Sequence, residues 1–229
     1  MKIDFSIMPS LRCNLQCSFC MYDAQLYETD VLDYARAANF IDQWKWEDIN
    51  AVGFYGGEPF INLPLYQNFI DLIPFYIPKF IISNGSWSTD LGLTIEFLHF
   101  LQKNELFLIV SGTKEHTPFQ NREVLEILYN EHSEAMRLKS EDVIHEMGRG
   151  KPEHTCCGAF CQYDKRVMRL AIHPSGNIIY QNCHGNYPIV QTIDDPYEGI
   201  YERALAVAEK CARDKGLYVG SEIPNIKTY

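Results

Sequence analysis

The chain reads as an α/β protein built on parallel strands. Two observations predict this. Short apolar runs alternate with amphipathic helical segments four times within the first 131 residues. Each run ends in turn residues, and each gap holds one helix's worth of chain. Strands alternating with helices imply parallel pairing through right-handed crossovers. An open doubly wound sheet and a (β/α) barrel both satisfy that pattern.

Ile3 to Met8 alternates as a strand, and Pro9-Ser10 ends it. Thr29-Asp30 is expected to cap a helix with Val31, Ala35, Ala38 and Ile41 on one stripe, ending near Trp44. Trp44 to Trp46 reads as a helix end packed on its neighbour. The second strand is Ala51 to Tyr55. Asn62 and Pro64 open the next helix, with Leu65, Phe69, Leu72 and Ile73 as its stripe and Pro74 and Pro78 as its stop. Lys79 to Ser83 is the third strand and runs into an Asn84-Gly85 turn. Asp90 caps a helix striped by Leu91, Ile95, Leu98 and Leu101. The fourth strand is Leu106 to Ser111, and a helix follows from Asn121 to Glu131. A fifth strand is expected within Arg137 to Glu146.

Farther on, Val167 to His173 and Ile178 to Tyr180 flank a Pro174-Ser175-Gly176-Asn177 turn, the pattern of a β-hairpin. A last helix carries Ile200, Ala204, Val207 and Ala208 on one stripe. The expected division is a core over 1–150 and a hairpin-plus-helix segment over 151–229.

With 229 residues, 46% hydrophobic and 22% charged, the chain can bury one good core. No apolar segment reaches membrane-spanning length and no leader pattern is visible, so a cytoplasmic protein without membrane contact is expected. A net charge of −10 argues against nonspecific nucleic-acid binding. Eight cysteines in such a setting point to metal or redox use rather than disulfides.

Cys13, Cys17 and Cys20 are spaced C-x3-C-x2-C directly after the first strand. One loop with three thiolates can wrap three irons of a [4Fe-4S] cube and leave the fourth open to a small chelating molecule. A zinc knuckle or buried free thiols are the alternatives, but zinc spacing usually comes in C-x2-C pairs. Gly56-Gly57-Glu58-Pro59 follows the second strand.

The cysteine stretch, with aromatic Phe19 before its third cysteine, resembles the cluster motif of the radical S-adenosylmethionine (SAM) enzymes. Gly56-Gly57-Glu58-Pro59 is similar to that family's GGEP segment, and Asn84-Gly85 to its turn after strand three. The resemblance implies a partial (β/α)6 TIM-like barrel with its site at the carboxyl ends of the strands. It implies that Cys13, Cys17 and Cys20 hold a [4Fe-4S] cluster whose open iron binds SAM. Gly56 and Gly57 would let backbone approach the SAM ammonium, with Glu58 anchoring that segment or assisting. Phe19 would face the adenine, and Ser83, Asn84 and Ser111 the ribose and carboxylate; turn chemistry is the alternative for the last three. A flavodoxin- or ferredoxin-like reductase and a peptide or small-molecule substrate would be the partners. Met147 to Gly150 is similar to the segment that closes the barrel in this family. Tyr22, Tyr27, His116 and Arg149 are placed near the barrel mouth, without a companion that names a reaction.

The other cysteines are Cys156, Cys157, Cys161, Cys183 and Cys211. The hairpin brings Cys161 and Cys183 together. This arrangement is similar to the Twitch or SPASM auxiliary-cluster segment, which implies a second iron-sulfur cluster on Cys156, Cys157, Cys161 and Cys183. It departs in having six residues between Gly176 and Cys183 where the family has four. A structural zinc ion is the alternative, with His154 and His184 as spare donors. Cys211 fits the core face of its helix. Against a radical enzyme stand a noncatalytic iron-sulfur or zinc sensor that has kept the scaffold, and a zinc-dependent nucleic-acid binder.

Overall fold

A computed structural model describes residues 2–139, 167–181 and 188–214. The described strands are β1 (Lys2–Ile7), β2 (Ile49–Phe54), β3 (Lys79–Ser83), β4 (Leu106–Val110), β5 (Met136–Leu138), β6 (Val167–Ile172), β7 (Asn177–Tyr180) and β8 (Ile189–Thr192). The helices are α1 (Tyr34–Ile41), α2 (Leu63–Ile70), α3 (Leu91–Lys103), α4 (Arg122–Glu131) and α5 (Ile200–Asp214).

One eight-stranded sheet runs in the order β5-β4-β3-β2-β1-β6-β7-β8. β1 to β5 are successive parallel neighbours, with α1 to α4 as their crossovers. The sheet grows one way from β1 and then resumes on its other edge. There β6 pairs with β1 in parallel from Lys2↔Val167 to Ile7↔Ile172. β7 and β8 add antiparallel. This is a mostly parallel α/β sheet of the partial TIM-like kind, and the hairpin is built onto it. β1 sits where the strand order reverses, and loops at the carboxyl ends of such strands are where open α/β sheets bind ligands.

Residues from all five helices join the strands in one core. Its centre is aromatic. Phe5 stacks on Trp44 at 4.2 Å, and Phe40 meets both edge-on. A smaller cluster of Met8, Leu11, Ala24, Ala171 and Ile179 lies under the cysteine loop, with Cys13, Cys20, Tyr22 and Tyr55 packed on it.

Two expectations, at α1 and α3, are corrected. α1 begins at Tyr34, capped by Asp33, whose carboxylate accepts the Arg36 N–H. The Thr29 and Asp30 N–H groups are taken by Glu28, Val31 bridges back to Ser10, and the buried face is Ala37, Phe40 and Ile41. On α3, Leu91 is 75% exposed and Ile95 46%, while Thr94, Phe97 and Leu101 are buried, so its stripe is turned from the expected one. β5 is centred on Arg137, at the start of the expected interval; 140–146 lies outside the described residues, as do Met147 to Gly150. Asn62 and Asn121 cap α2 and α4 where expected.

No helix among the described residues is long and apolar enough to cross a membrane.

Candidate active site

The loop that leaves β1 is closed at its base. The Leu32 N–H donates to Pro9 O at 2.8 Å, Gln25 N–H to Leu11 O at 3.1 Å, and Cys13 N–H to Gln25 O at 3.0 Å. Cys13, Cys17 and Cys20 lie inside this noose, half-buried and unbridged. Their sulfurs are supplied with donors. Leu15 N–H points at Cys13 Sγ (3.5 Å), Ala24 N–H at Cys20 Sγ (3.4 Å), and the Asn84 side-chain amide at Cys13 Sγ (3.9 Å). Burial pushes the Cys13 thiol up to about 11, against the Leu15 hydrogen bond, with Glu58 and Cys20 adding to the rise. Ligation must therefore displace a proton there. Among the described residues no three of His, Cys, Asp or Glu converge on one metal ion. A four-iron cube needs no such convergence, because each thiolate meets its own iron.

The Gly56-Gly57-Glu58 segment runs against the outgoing limb of that loop. Gly57 N–H donates to Ser10 O and Glu58 N–H to Arg12 O, each at 2.9 Å. A Cβ on Gly57 would sit 1.8 Å from Arg12 O, so only glycine passes. Gly56 has φ +138°, and its Cβ would lie 2.5 Å from Ser10 O. The glycines let two loops touch through backbone.

Glu58 is buried, 2% exposed. Its Oε1 accepts from the Ser83 hydroxyl (2.7 Å) and Phe60 N–H (3.2 Å), its Oε2 from Asn84 N–H (2.7 Å). Burial raises its carboxyl to about 7, despite the hydrogen bonds from Asn84, Ser83 and Phe60. Ser83 Oγ also accepts from Gly85 N–H at 3.1 Å and Trp87 Nε1 at 2.9 Å, so its donor and both lone pairs are engaged. Asn84 Nδ2 donates to Asn14 Oδ1 at 2.9 Å. Ser111 N–H donates to Ser83 O at 2.9 Å. Gln120 Nε2 joins the ends of β3 and β4, donating to Asn84 O at 2.6 Å and Ser111 O at 2.7 Å.

At the crown of the loop, Phe19 meets His116 edge-to-face, with ring centroids 5.6 Å apart. Ser18 donates to Glu115 through both its N–H and its hydroxyl. On the other flank, Gln181 donates to the hydroxyls of Tyr22 and Tyr55. The structure therefore brings Cys13, Cys17, Cys20, Phe19, Gly56, Gly57, Glu58, Ser83, Asn84 and Ser111 to one end of the sheet. Asn14, Glu115, Gln120 and Gln181 complete the surroundings. Adjacency to Cys13 was a signal for Asn14; the other three had none in local sequence. Cys156, Cys157, Cys161, Cys183, His154, His184 and Arg149 lie outside the described residues, and Cys211 falls within α5.

The family model of the radical SAM superfamily matches residues 7–155, well over half of the chain. The chain belongs to the radical SAM superfamily. It is accordingly an enzyme, and its family implies a [4Fe-4S] cluster and SAM. No curated protein sequence matches the chain. Among solved structures, BtrN in complex with AdoMet and 2-DOIA is similar in fold, with TM-score 0.67 and 16% identity, over 92% of this chain and 87% of BtrN. anSMEcpe with bound AdoMet and Kp18Cys peptide matches with TM-score 0.57 and 11% identity, over 92% of this chain and 84% of that one. The radical SAM cluster fits the residues present: three thiols on one loop, with N–H donors to the sulfurs and glycines where side chains would collide.

Proposed function

We propose that this radical SAM enzyme holds its [4Fe-4S] cluster through Cys13, Cys17 and Cys20 and abstracts hydrogen from a peptide or small metabolite. The observation that carries the reading is the junction of the Gly56-Gly57-Glu58 segment with the base of the cysteine loop. When bound, the cluster and SAM would supply radical chemistry begun by a one-electron reduction. The N–H groups of Leu15 and Ala24 point at the sulfurs of Cys13 and Cys20 and would help hold them in place on a cluster. Backbone at Gly56 and Gly57 would receive the SAM ammonium, while Glu58 holds that segment against β3 and its turn. Phe19 would face the adenine. Asn84 and Ser111 serve the ribose and carboxylate, with Ser83 supporting them. The apolar cluster of Met8, Leu11, Ala24, Ala171 and Ile179 keeps water from beneath the loop.

Residues 151–229 form a Twitch-like auxiliary segment in this reading, with Cys156, Cys157, Cys161 and Cys183 around a second iron-sulfur cluster; structural zinc is the competing occupant. In its support, Gln181, two residues before Cys183, bonds Tyr22, two residues after Cys20, at 3.1 Å. BtrN was solved with 2-DOIA and anSMEcpe with a peptide, which supports keeping both a peptide and a small molecule as candidate substrates. A flavodoxin or ferredoxin supplies the electron.

The test is anaerobic reconstitution with iron and sulfide, then dithionite and SAM. 5'-Deoxyadenosine should form with the wild type and not with Cys17→Ala. No 5'-deoxyadenosine from a fully reconstituted wild type would overturn the reading.

A further inference from the structure

We propose that Glu115 and His116, on the loop after β4, are positioning residues that hold the crown of the cysteine loop in its cluster-binding shape. The inference rests on the reading of Cys13, Cys17 and Cys20 as ligands, and adds what keeps them in register.

Only Ser18 and Phe19 separate Cys17 from Cys20, and the β4 loop grips both. Ser18 N–H donates to Glu115 Oε2 at 2.6 Å, and Ser18 O–H donates to Oε1 of the same carboxylate. Two hydrogen bonds from one residue to one carboxyl group fix its orientation as well as its position. Phe19 presses on the His116 ring at an interplanar angle of 84°. That ring is itself set by Thr113, whose hydroxyl lies 3.1 Å from His116 Nδ1, while His116 N–H donates to Thr113 O at 3.0 Å.

The remaining backbone supports of the loop are at its base, through Gln25, Ser10 and Arg12. Within the crown, Cys20 N–H donates to Cys17 O at 3.2 Å. The base is held by the loop's own return limb and the turn after β2, the start of the cysteine stretch meets the turn after β3, and the crown meets the turn after β4. A carboxylate beside a thiolate-held cluster is electrostatically unfavourable, so its use here follows from geometry, not charge. Gln can copy that geometry. Its Oε1 can accept the Ser18 N–H while its amide donates to Ser18 Oγ.

The experiment compares wild type, Glu115→Ala, Glu115→Gln and Ser18→Ala after anaerobic reconstitution. It reads iron per chain, the EPR line shape of the reduced cluster, and the rate of iron release to a chelator, with circular dichroism to establish folding. Glu115→Ala should release iron about tenfold faster or more, the size of effect seen when outer-shell partners of metal ligands are removed. Its EPR line shape should broaden. Ser18→Ala should move the same way, by less, and serves as the reading should Glu115→Ala not fold. Glu115→Gln should stay within about twofold of wild type, since its hydrogen bonds survive. Wild-type release and line shape in both Ser18→Ala and Glu115→Ala overturn the proposal. So does Glu115→Gln as damaged as Glu115→Ala, which would assign the effect to charge. A wild type that takes up no iron through Cys13, Cys17 and Cys20 is a different failure and sinks the ligand assignment itself.

Discussion

The Glu58 carboxylate accepts the Asn84 backbone N–H at 2.7 Å, tying the turn after β2 to the turn after β3. Asn84 in turn directs its side chain at Cys13 and Asn14. One buried acid thus connects the glycine pair, the β3 turn and the first cysteine. In Glu58→Gln the amide nitrogen must face either the Asn84 N–H or the pair of donors on Oε1. At least one buried hydrogen bond is lost, at a cost of about 1–3 kcal/mol. Urea unfolding of the unreconstituted chain should show that loss, together with slower cluster assembly.

The same residue predicts a pH dependence. Burial raises the Glu58 carboxyl from 4.5 to about 7 in the folded chain. Between those values the folded state keeps a proton that the unfolded state has released, so stability falls as pH rises. The contribution is fully present below the unfolded value and is gone above the folded one. Its size is on the order of 3 kcal/mol, at about 1.4 kcal/mol per pH unit of separation. Stability curves from pH 4.5 to 7.5 should therefore slope down more steeply for wild type than for Glu58→Gln. Parallel curves would mean that the three hydrogen bonds keep the carboxylate ionised.

Among the described glycines, Gly57→Ala should be the most damaging change. The added Cβ falls 1.8 Å from Arg12 O and 2.7 Å from Leu11 C, all backbone, so no side chain can yield. The two loops must separate, breaking the Gly57–Ser10 and Glu58–Arg12 hydrogen bonds. A loss of about 2–4 kcal/mol is expected, in the upper range for point changes. Thermal melting gives the stability change, and iron content after reconstitution should fall with it.

Much of this arrangement is local, and what is local was legible. β1 to β4 are apolar runs between turn residues, and they lie within two residues of where composition places them. The three cysteines and Gly56-Gly57-Glu58 carry their chemistry in adjacent positions. What escaped depends on which neighbouring group wins a donor or a face, or on distant partners. Thr29-Asp30 has the form of a helix cap, but Glu28 takes those N–H groups and the chain stays extended to Asp33. Leu91 and Ile95 fit a helical stripe, yet α3 turns Thr94 and Phe97 inward to meet Trp87, in the turn just before it. β8 is four residues long and takes its place only from β7. Glu115 and Gln120 belong to the site through residues 97 and 36 positions away.

Asn84 should tune the cluster as well as the fold. Its side-chain amide lies 3.9 Å from Cys13 Sγ, and hydrogen bonds to cluster sulfurs are among the features that set reduction potential. A donor stabilises the more negative, reduced state, so removing it should make the cluster harder to reduce. Asn84→Ala keeps the backbone N–H that Glu58 needs and removes only the side chain. EPR-monitored redox titration should place its midpoint below that of wild type, with less 5'-deoxyadenosine formed at a fixed dithionite potential. Asn84→Ala also removes the hydrogen bonds to Asn14 and Ser86, so a stability loss of about 1 kcal/mol should accompany the shift. The two effects separate in Asn14→Ala, which loses the Asn84 partner but leaves the donor facing Cys13. Its stability should fall while its midpoint stays near that of wild type. An unchanged midpoint in Asn84→Ala, with cluster content intact, would show that the Asn84 amide does not act on the potential of a cluster held by Cys13.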